Sequence, residues 1–226
     1  CEAFLAGAAR TLDEHADVRL GDARGVVQQR QHARALGDDV ACPRGARLGL
    51  LVGTYQRDRA VDVLASFQDE PLASTVIPLA DLGSYPMHQL ADAYAFDHYC
   101  HLRIDLLAPR GPISRQVAAA DATRLGPAIR WMITGMPQMQ SNLGRSLSAP
   151  IVLDLTGPGG GKWTISPSRD DIVVSDGASN GAVATVTSSG HAFVDWGTQR
   201  SNWREHCAVL GDDAVAARFL DALNII

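Results

Sequence analysis

The chain has 226 residues, 46% of them hydrophobic and 20% charged, with a formal net charge of −5. That is the composition of a globular protein with a sizeable core. An acidic balance without a basic run argues against nonspecific nucleic-acid binding. No apolar run approaches the roughly 20 residues that span a bilayer, so no membrane association is expected. With no signal peptide either, the expected location is the cytoplasm.

The four cysteines, Cys1, Cys42, Cys100 and Cys207, are far apart and form no Cys-x-x-Cys pair. They read as isolated thiols rather than a disulfide frame. The chain starts at Cys1 already inside a helical pattern, which suggests that residues precede it.

The first 140 or so residues read as helices. Phe4, Leu5 and Ala8 to Leu12 give one apolar face. Val26, Val27 and Ala33 begin a second helix, and Arg44 to Phe67 carries a third through Leu48, Leu51, Tyr55, Val61 and Leu64. Ser74 to Leu79 reads as a loop. Ser84 then offers an N-cap, with Pro86 in the first turn, for a helix that stops at Leu107-Ala-Pro-Arg-Gly-Pro. A further helix covers about Ala122 to Gly135. Four or five amphipathic helices with short connections imply an up-down bundle over residues 1–140.

The periodicity changes after Ser141 to Pro150, a polar linker. Ile151-Val-Leu-Asp-Leu-Thr alternates, Gly157-Pro-Gly-Gly-Gly supplies a hairpin-type turn, and Lys162-Trp-Thr-Ile-Ser answers it. The glycine run is followed by no Gly-Lys-Ser/Thr and opens no helix, which favours a turn over a phosphate loop. Asp171 to Ser175 and Ala182 to Thr187 read as two more strands. Helical patterns return at His191 to Trp196 and Asp213 to Leu223. Residues 149–226 are thus expected to be a small α+β domain.

The most informative chemistry lies in Leu90 to Asp105, where Asp97, His101 and Asp105 stand four apart. At 100° per residue, His101 falls about 40° from Asp97 and Asp105 about another 40° on. Leu90, Tyr94 and Ile104 lie close by on the wheel, which predicts that Asp97 and His101 face the bundle interior. Carboxylates and imidazoles are costly to bury unless paired or metal-bound. Two readings follow: a satisfied helix pair, or two ligands of a divalent metal that needs a third from a neighbouring helix. Cys100 is off this face and reads as a buried small hydrophobe.

A helical bundle with a carboxylate-x3-His helix, followed by a small α+β domain, resembles the mycothiol-dependent maleylpyruvate isomerase family of actinobacteria. Two segments carry the likeness. One is Leu90 to Pro112; the other runs from Trp196-Gly-Thr-Gln-Arg-Ser to Leu210-Gly-Asp-Asp-Ala-Val-Ala-Ala-Arg-Phe-Leu. The resemblance implies an N-terminal DinB-like four-helix bundle that binds metal and a C-terminal sterol-carrier-like domain. It implies a divalent metal, zinc in the family, held by Asp97 in the place of the family's Glu and by His101. The third ligand, a His, is expected upstream of Cys1, with His15, His32 and His98 as substitutes within the chain.

By the same resemblance, the metal would activate mycothiol for thiolate addition to a small electrophile, in an isomerase or a thiol transferase. Arg200, from the Arg-containing turn, would pair with a substrate carboxylate in the cleft near the Asp97/His101 helix. Asp105 would orient His101 or sit as a plain surface acid. The expected partners are a small-molecule thiol and its electrophile, with the chain a monomer or homodimer. The alternative is a non-catalytic small-molecule or partner-binding protein on the same fold.

Overall fold

The computed structural model describes residues 58–140 and 142–225. The chain divides into two compact units, Cys1–Phe67 and Gln68–Ile226. Of the first unit, residues 58–66 are helical. The remainder of the three expected N-terminal helices, with the bundle they were to form, lies outside the described residues. Everything below concerns the second unit.

The segment after Gln68 opens with a two-stranded antiparallel hairpin, β1 (Val76–Pro78) and β2 (Ser84–Pro86), with Ile77 opposite Tyr85. Two sequence expectations are corrected here. Ser74 to Leu79 is not wholly loop, because Val76, Ile77 and Pro78 form β1. Ser84 is not an N-cap but a strand residue: α1 (Leu90–His98) begins four residues beyond Pro86, behind a 3-10 turn at Met87–Gln89. Tyr85 is fully buried against Trp131, with ring centroids 4.5 Å apart, so strand pairing wins over local capping propensity there.

Helix α1 continues directly into a π-helix, Tyr99–Asp105, and its exit is marked by the i→i+5 bond from Leu106 N–H to the His101 carbonyl at 3.1 Å. The Leu107–Pro112 breakers end it as expected. Helix α2 (Ala122–Met139) is capped by the Asp121 carboxylate, which accepts from Arg124 N–H. It tolerates Pro127 within its interior and buries Leu125, Ile129, Met132 and Met136 completely or nearly so. Arg130 on α2 clamps Asp92 on α1 through two bonds of 3.0 and 2.7 Å.

The five-stranded sheet has the order β5-β4-β3-β6-β7, built from β3 (Ile151–Thr156), β4 (Gly161–Ser168), β5 (Asp171–Asp176), β6 (Ala184–Ser189) and β7 (Ala208–Gly211). All pairs are antiparallel except the central β3·β6, which runs parallel from Ile151↔Ala184 to Thr156↔Ser189. The Gly157–Gly161 run makes the β3–β4 turn, as expected. Among the described residues, the strands holding Ile151 and Trp163 share a sheet only with C-terminal strands. The fourth strand starts at Ala184 rather than Ala182, and β7 was not foreseen. Helices α3 (Gly190–Gly197) and α4 (Asp213–Ala222) follow, α4 capped by Asp212, whose carboxylate accepts from Val215 N–H.

One hydrophobic cluster runs from Tyr99 and Cys100 through α2, Leu143 and Leu147 into the sheet and on to Ile225. The segment expected as a polar linker therefore contributes two core leucines. Gln140 side-chain bonds reach Asn224 N–H at 2.7 Å and the Ala222 carbonyl, joining the end of α2 to the chain's last turn. Apolar packing thus continues from α2 through Leu143 and Leu147 into the sheet.

Candidate functional site

The change from α to π winding governs this region. Under 3.6 residues per turn, Asp97 and His101 belong on the apolar stripe; a π segment winds more residues into each turn, so the wheel drifts over Tyr99–Asp105. Tyr99 and Cys100 take the core positions. The His101 side chain is 48% exposed and that of Asp97 24%. The expectation that both face the interior is therefore met by neither fully, and His101 lies on the outer margin.

Residues four apart still share one face, and there the structure assembles a chain of polar contacts. His101 Nε2 stands 3.6 Å from Asp97 Oδ1, and His101 Nδ1 lies 2.9 Å from Asp105 Oδ2. Asp105 also accepts two bonds of 2.7 Å from Arg200, one from Nε and one from a terminal nitrogen. This fork geometry is the strong form of the Arg–carboxylate contact. It holds the Asp105 carboxyl down at about 2, with the bond from His101 adding to the effect of Arg200. Arg200 in turn is raised above its ordinary value by Asp105.

Arg200 reaches this position from the turn after α3. Its backbone N–H donates to the Asp195 carbonyl at 2.9 Å, and the left-handed residue of the turn is Gln199, with φ of 55°. Gly197, in the same segment, makes room for close packing: a Cβ there would lie 2.8 Å from Met132 Cε and 3.2 Å from Phe193 Cε2. The turn does bring Arg200 beside the Asp97/His101 helix, but its fork is engaged with Asp105 rather than directed at open space, and its side chain is 19% exposed.

As to a metal, two ligands about 2.0–2.1 Å from a tetrahedral zinc stand roughly 3.3 Å apart. The 3.6 Å separation of His101 Nε2 and Asp97 Oδ1 is near that edge. Asp105 on Nδ1 is the second partner that metal-binding histidines ordinarily have. The pair thus fits a divalent ion on one side. Among the described residues no group of three His, Cys, Asp or Glu side chains is placed to hold one. The third ligand expected upstream of Cys1, and the substitutes His15 and His32, lie outside the described residues; His98 is exposed and stacks toward Tyr94.

The two described thiols are both held protonated. Burial pushes Cys100 up to about 12 and Cys207 to about 11. Cys100 lies next to the network as a neutral core residue, as its place off the Asp97 face suggested.

Beside the network opens a cleft of about 540 Å³ between the π segment, the loop after it and α3. Its polar lining, which the sequence reading missed, consists of Arg103, Arg110, Arg115, His191 and Asp195. The available signal was three arginines within thirteen residues around the proline breakers. The loop is closed by backbone bonds from Gly111 N–H to Leu107, Ala108 N–H to Ile113 and Ile113 N–H to Leu106. A Cβ on Gly111 would stand 2.2 Å from the Leu106 carbonyl carbon, so this tight closure requires glycine.

No family model matches the chain, and no curated protein matches it. Among solved structures it is similar to the ubiquinone synthesis protein UbiJ-SCP2, at 16% identity and a TM-score of 0.29 over 36% of this chain and 69% of that one. It is also similar to the sterol carrier protein domain 2 of Helicoverpa armigera, at 14% identity and a TM-score of 0.34, covering 48% of this chain and 91% of the other. Sterol Carrier Protein 2 from Yarrowia lipolytica gives 21% identity and a TM-score of 0.29, covering 50% and 98%. These likenesses concern coarse fold alone. No described helix is long and apolar enough to cross a membrane.

Proposed function

We propose that this protein is a divalent-metal-binding enzyme of the mycothiol-dependent maleylpyruvate isomerase kind, adding a small thiol to a small electrophile. Asp97 and His101 are its ligands on the described side of the site. The observation that carries this reading is the ordered series Asp97–His101–Asp105–Arg200, in which each group fixes the next. Asp105 is placed to accept a hydrogen bond from Nδ1–H, the tautomer that would leave the Nε2 lone pair toward Asp97 and a metal. Arg200 keeps Asp105 ionised and stationary. Its role is accordingly to position Asp105, in place of the substrate-carboxylate contact expected from the resemblance.

A bound divalent cation supplies the stabilisation that makes a thiol ionise near neutral pH. Neither described cysteine serves as that thiol, because burial keeps both protonated. The nucleophile in this reading is a small-molecule thiol, mycothiol or a similar one.

One observation favours a second reading. The same four groups satisfy one another without an ion, as a staple between the π segment and the turn after α3 would, and the protein would then be a non-catalytic binding module.

The deciding experiment is zinc reconstitution of the full-length protein, followed by metal analysis of wild type, His101→Ala and Asp97→Asn. The enzyme reading expects near-stoichiometric zinc in wild type and its loss in His101→Ala. Absence of zinc from wild type, or unchanged zinc in His101→Ala, overturns it. Conversion of maleylpyruvate to its trans isomer by the loaded protein with mycothiol regenerated, or net loss of the thiol into a stable adduct, then tests the isomerase and transferase forms of the reaction.

A further inference from the structure

The cleft beside the network carries a charge imbalance that the metal reading does not use. Arg110 is neutralised by Asp195 at 2.9 Å. Arg103 is held in place, donating to the Ala118 carbonyl at 2.5 Å with its guanidinium carbon 5.5 Å from the centre of the Tyr99 ring. That leaves its charge uncompensated. Arg115 is exposed and has no ion pair or hydrogen bond among the described residues. Two positive charges are thus unbalanced on the lining of one concave space.

His191, on the opposite wall, adds a directed donor. Its Nδ1 lies 2.7 Å from the Tyr99 hydroxyl, and burial raises Tyr99 so that this hydroxyl keeps its proton. With Tyr99 donating to Nδ1, Nε2 is the ring nitrogen left to donate to a ligand. The remaining walls, Ile104, Leu107, Pro109 and Val117, are apolar.

We infer that this cleft is a binding site for an organic phosphate monoester, its phosphoryl group met by Arg115, Arg103 and His191 and its body lying on Ile104, Leu107 and Val117. A phosphate monoester puts close to two negative charges and three acceptor oxygens on one centre, which matches two unbalanced guanidiniums and a fixed N–H. A dicarboxylate separates its charges. Its second carboxylate would need another free cation, and the third arginine of the lining, Arg110, is already paired with Asp195.

The site stands apart from the metal reading, since none of its residues belongs to the Asp97–Arg200 series. Its volume is at the small end of the range for small-molecule pockets.

Calorimetric titration of the full-length protein with phenyl phosphate, inorganic phosphate and succinate at low ionic strength tests it. Saturable binding of phenyl phosphate is expected, with inorganic phosphate at least fivefold weaker for want of an apolar body and succinate at least tenfold weaker. Arg115→Gln should weaken phenyl phosphate at least tenfold, while Arg145→Gln, whose partner is Asp170 outside the cleft, should leave it unchanged. Zinc uptake should be the same in Arg115→Gln as in wild type, so that loss of one site is not mistaken for loss of the other. The inference is overturned by absence of saturable phenyl phosphate binding, by unchanged affinity in Arg115→Gln, or by succinate binding as tightly as phenyl phosphate. Equal affinity for inorganic and phenyl phosphate would remove the assigned apolar contact and with it the monoester.

Discussion

Helix α2 and the π segment Tyr99–Asp105 pack against the same hydrophobic cluster, yet they are ordered by different physics. Helix α2 buries nine residues, among them Leu125, Ile129, Met132 and Met136, and these decide its orientation. The π segment buries only Tyr99 and Cys100. Its polar side chains are held by directed contacts: His101 and Arg200 on Asp105, Arg103 on Ala118, and the hydroxyl of Tyr99 on His191. Burial is non-directional and tolerates approximate geometry, whereas a fork of charge-assisted bonds specifies positions to fractions of an ångström. The polar margin is built from the second kind of force, laid on a floor made by the first.

The largest effect should come from the floor. Phe193 is fully buried and packs edge-on to Trp196, with centroids 5.1 Å apart. Phe193→Ala should cost about 3–5 kcal/mol in urea unfolding through the lost transfer energy and the cavity left behind. A cost near 1 kcal/mol would mean that the region is not a single packed core.

On the margin, Asp105→Asn removes the anchor of both Arg200 and His101. A loss of about 1–2 kcal/mol is expected from the partly exposed pair, together with a 10- to 100-fold fall in zinc affinity in the full-length protein. Retained affinity would show that Asp105 does not orient His101.

The pH dependence separates the two regions further. Asp105 falls from the usual 3.8 to about 2 in the folded protein, so the unfolded chain binds more protons between those values. Its stabilisation is full above about pH 4, declines as the pH drops and is gone below 2. With 31% of the side chain exposed, about 1 kcal/mol of the roughly 2 that the shift implies is expected. Asp221, likewise brought to about 2, chiefly by Arg204, acts in the same window but persists in Asp105→Asn. The difference between wild-type and variant stability curves should therefore shrink by about 1 kcal/mol from pH 4 to pH 2; a parallel offset throughout would contradict the assignment.

The smallest effect is expected at the sheet edge. Leu210 on β7 is 78% exposed, and Leu210→Ser should change stability by no more than about 0.5 kcal/mol. A loss above 1 kcal/mol would point to apolar contact on that edge.

Sequence periodicity was a good guide wherever one apolar face meets one core. The strands at Ile151 and Asp171, the Gly157–Gly161 turn, the helices at Ala122 and Asp213 and the Asp212 cap all follow from local pattern and chemistry. The hairpin at Val76 and Ser84 did not, because three-residue strands give too short an alternation to read and Tyr85 is drawn in by Trp131. Leu143 and Leu147 sit in a stretch polar enough to pass for a linker, and only tertiary packing, with the Leu143–Ser146 turn set against β4, β5 and α4, buries them.

The residues of the candidate network were legible as a set, since four-residue spacing puts Asp97, His101 and Asp105 on one face whichever way the helix winds. Their orientation was not, for the switch to i→i+5 bonding after His98 has no local signature and turns that face toward the margin. Composition, helix faces, strand alternation and caps are properties of neighbours in the chain, and the sequence by itself determines them. The fork of Arg200 on Asp105 spans ninety-five residues and the hydrogen bond between Tyr99 and His191 ninety-two. Contacts of that range depend on how α3 and its turn dock beside the π segment, which is decided by shared burial in one core and so only by the tertiary structure.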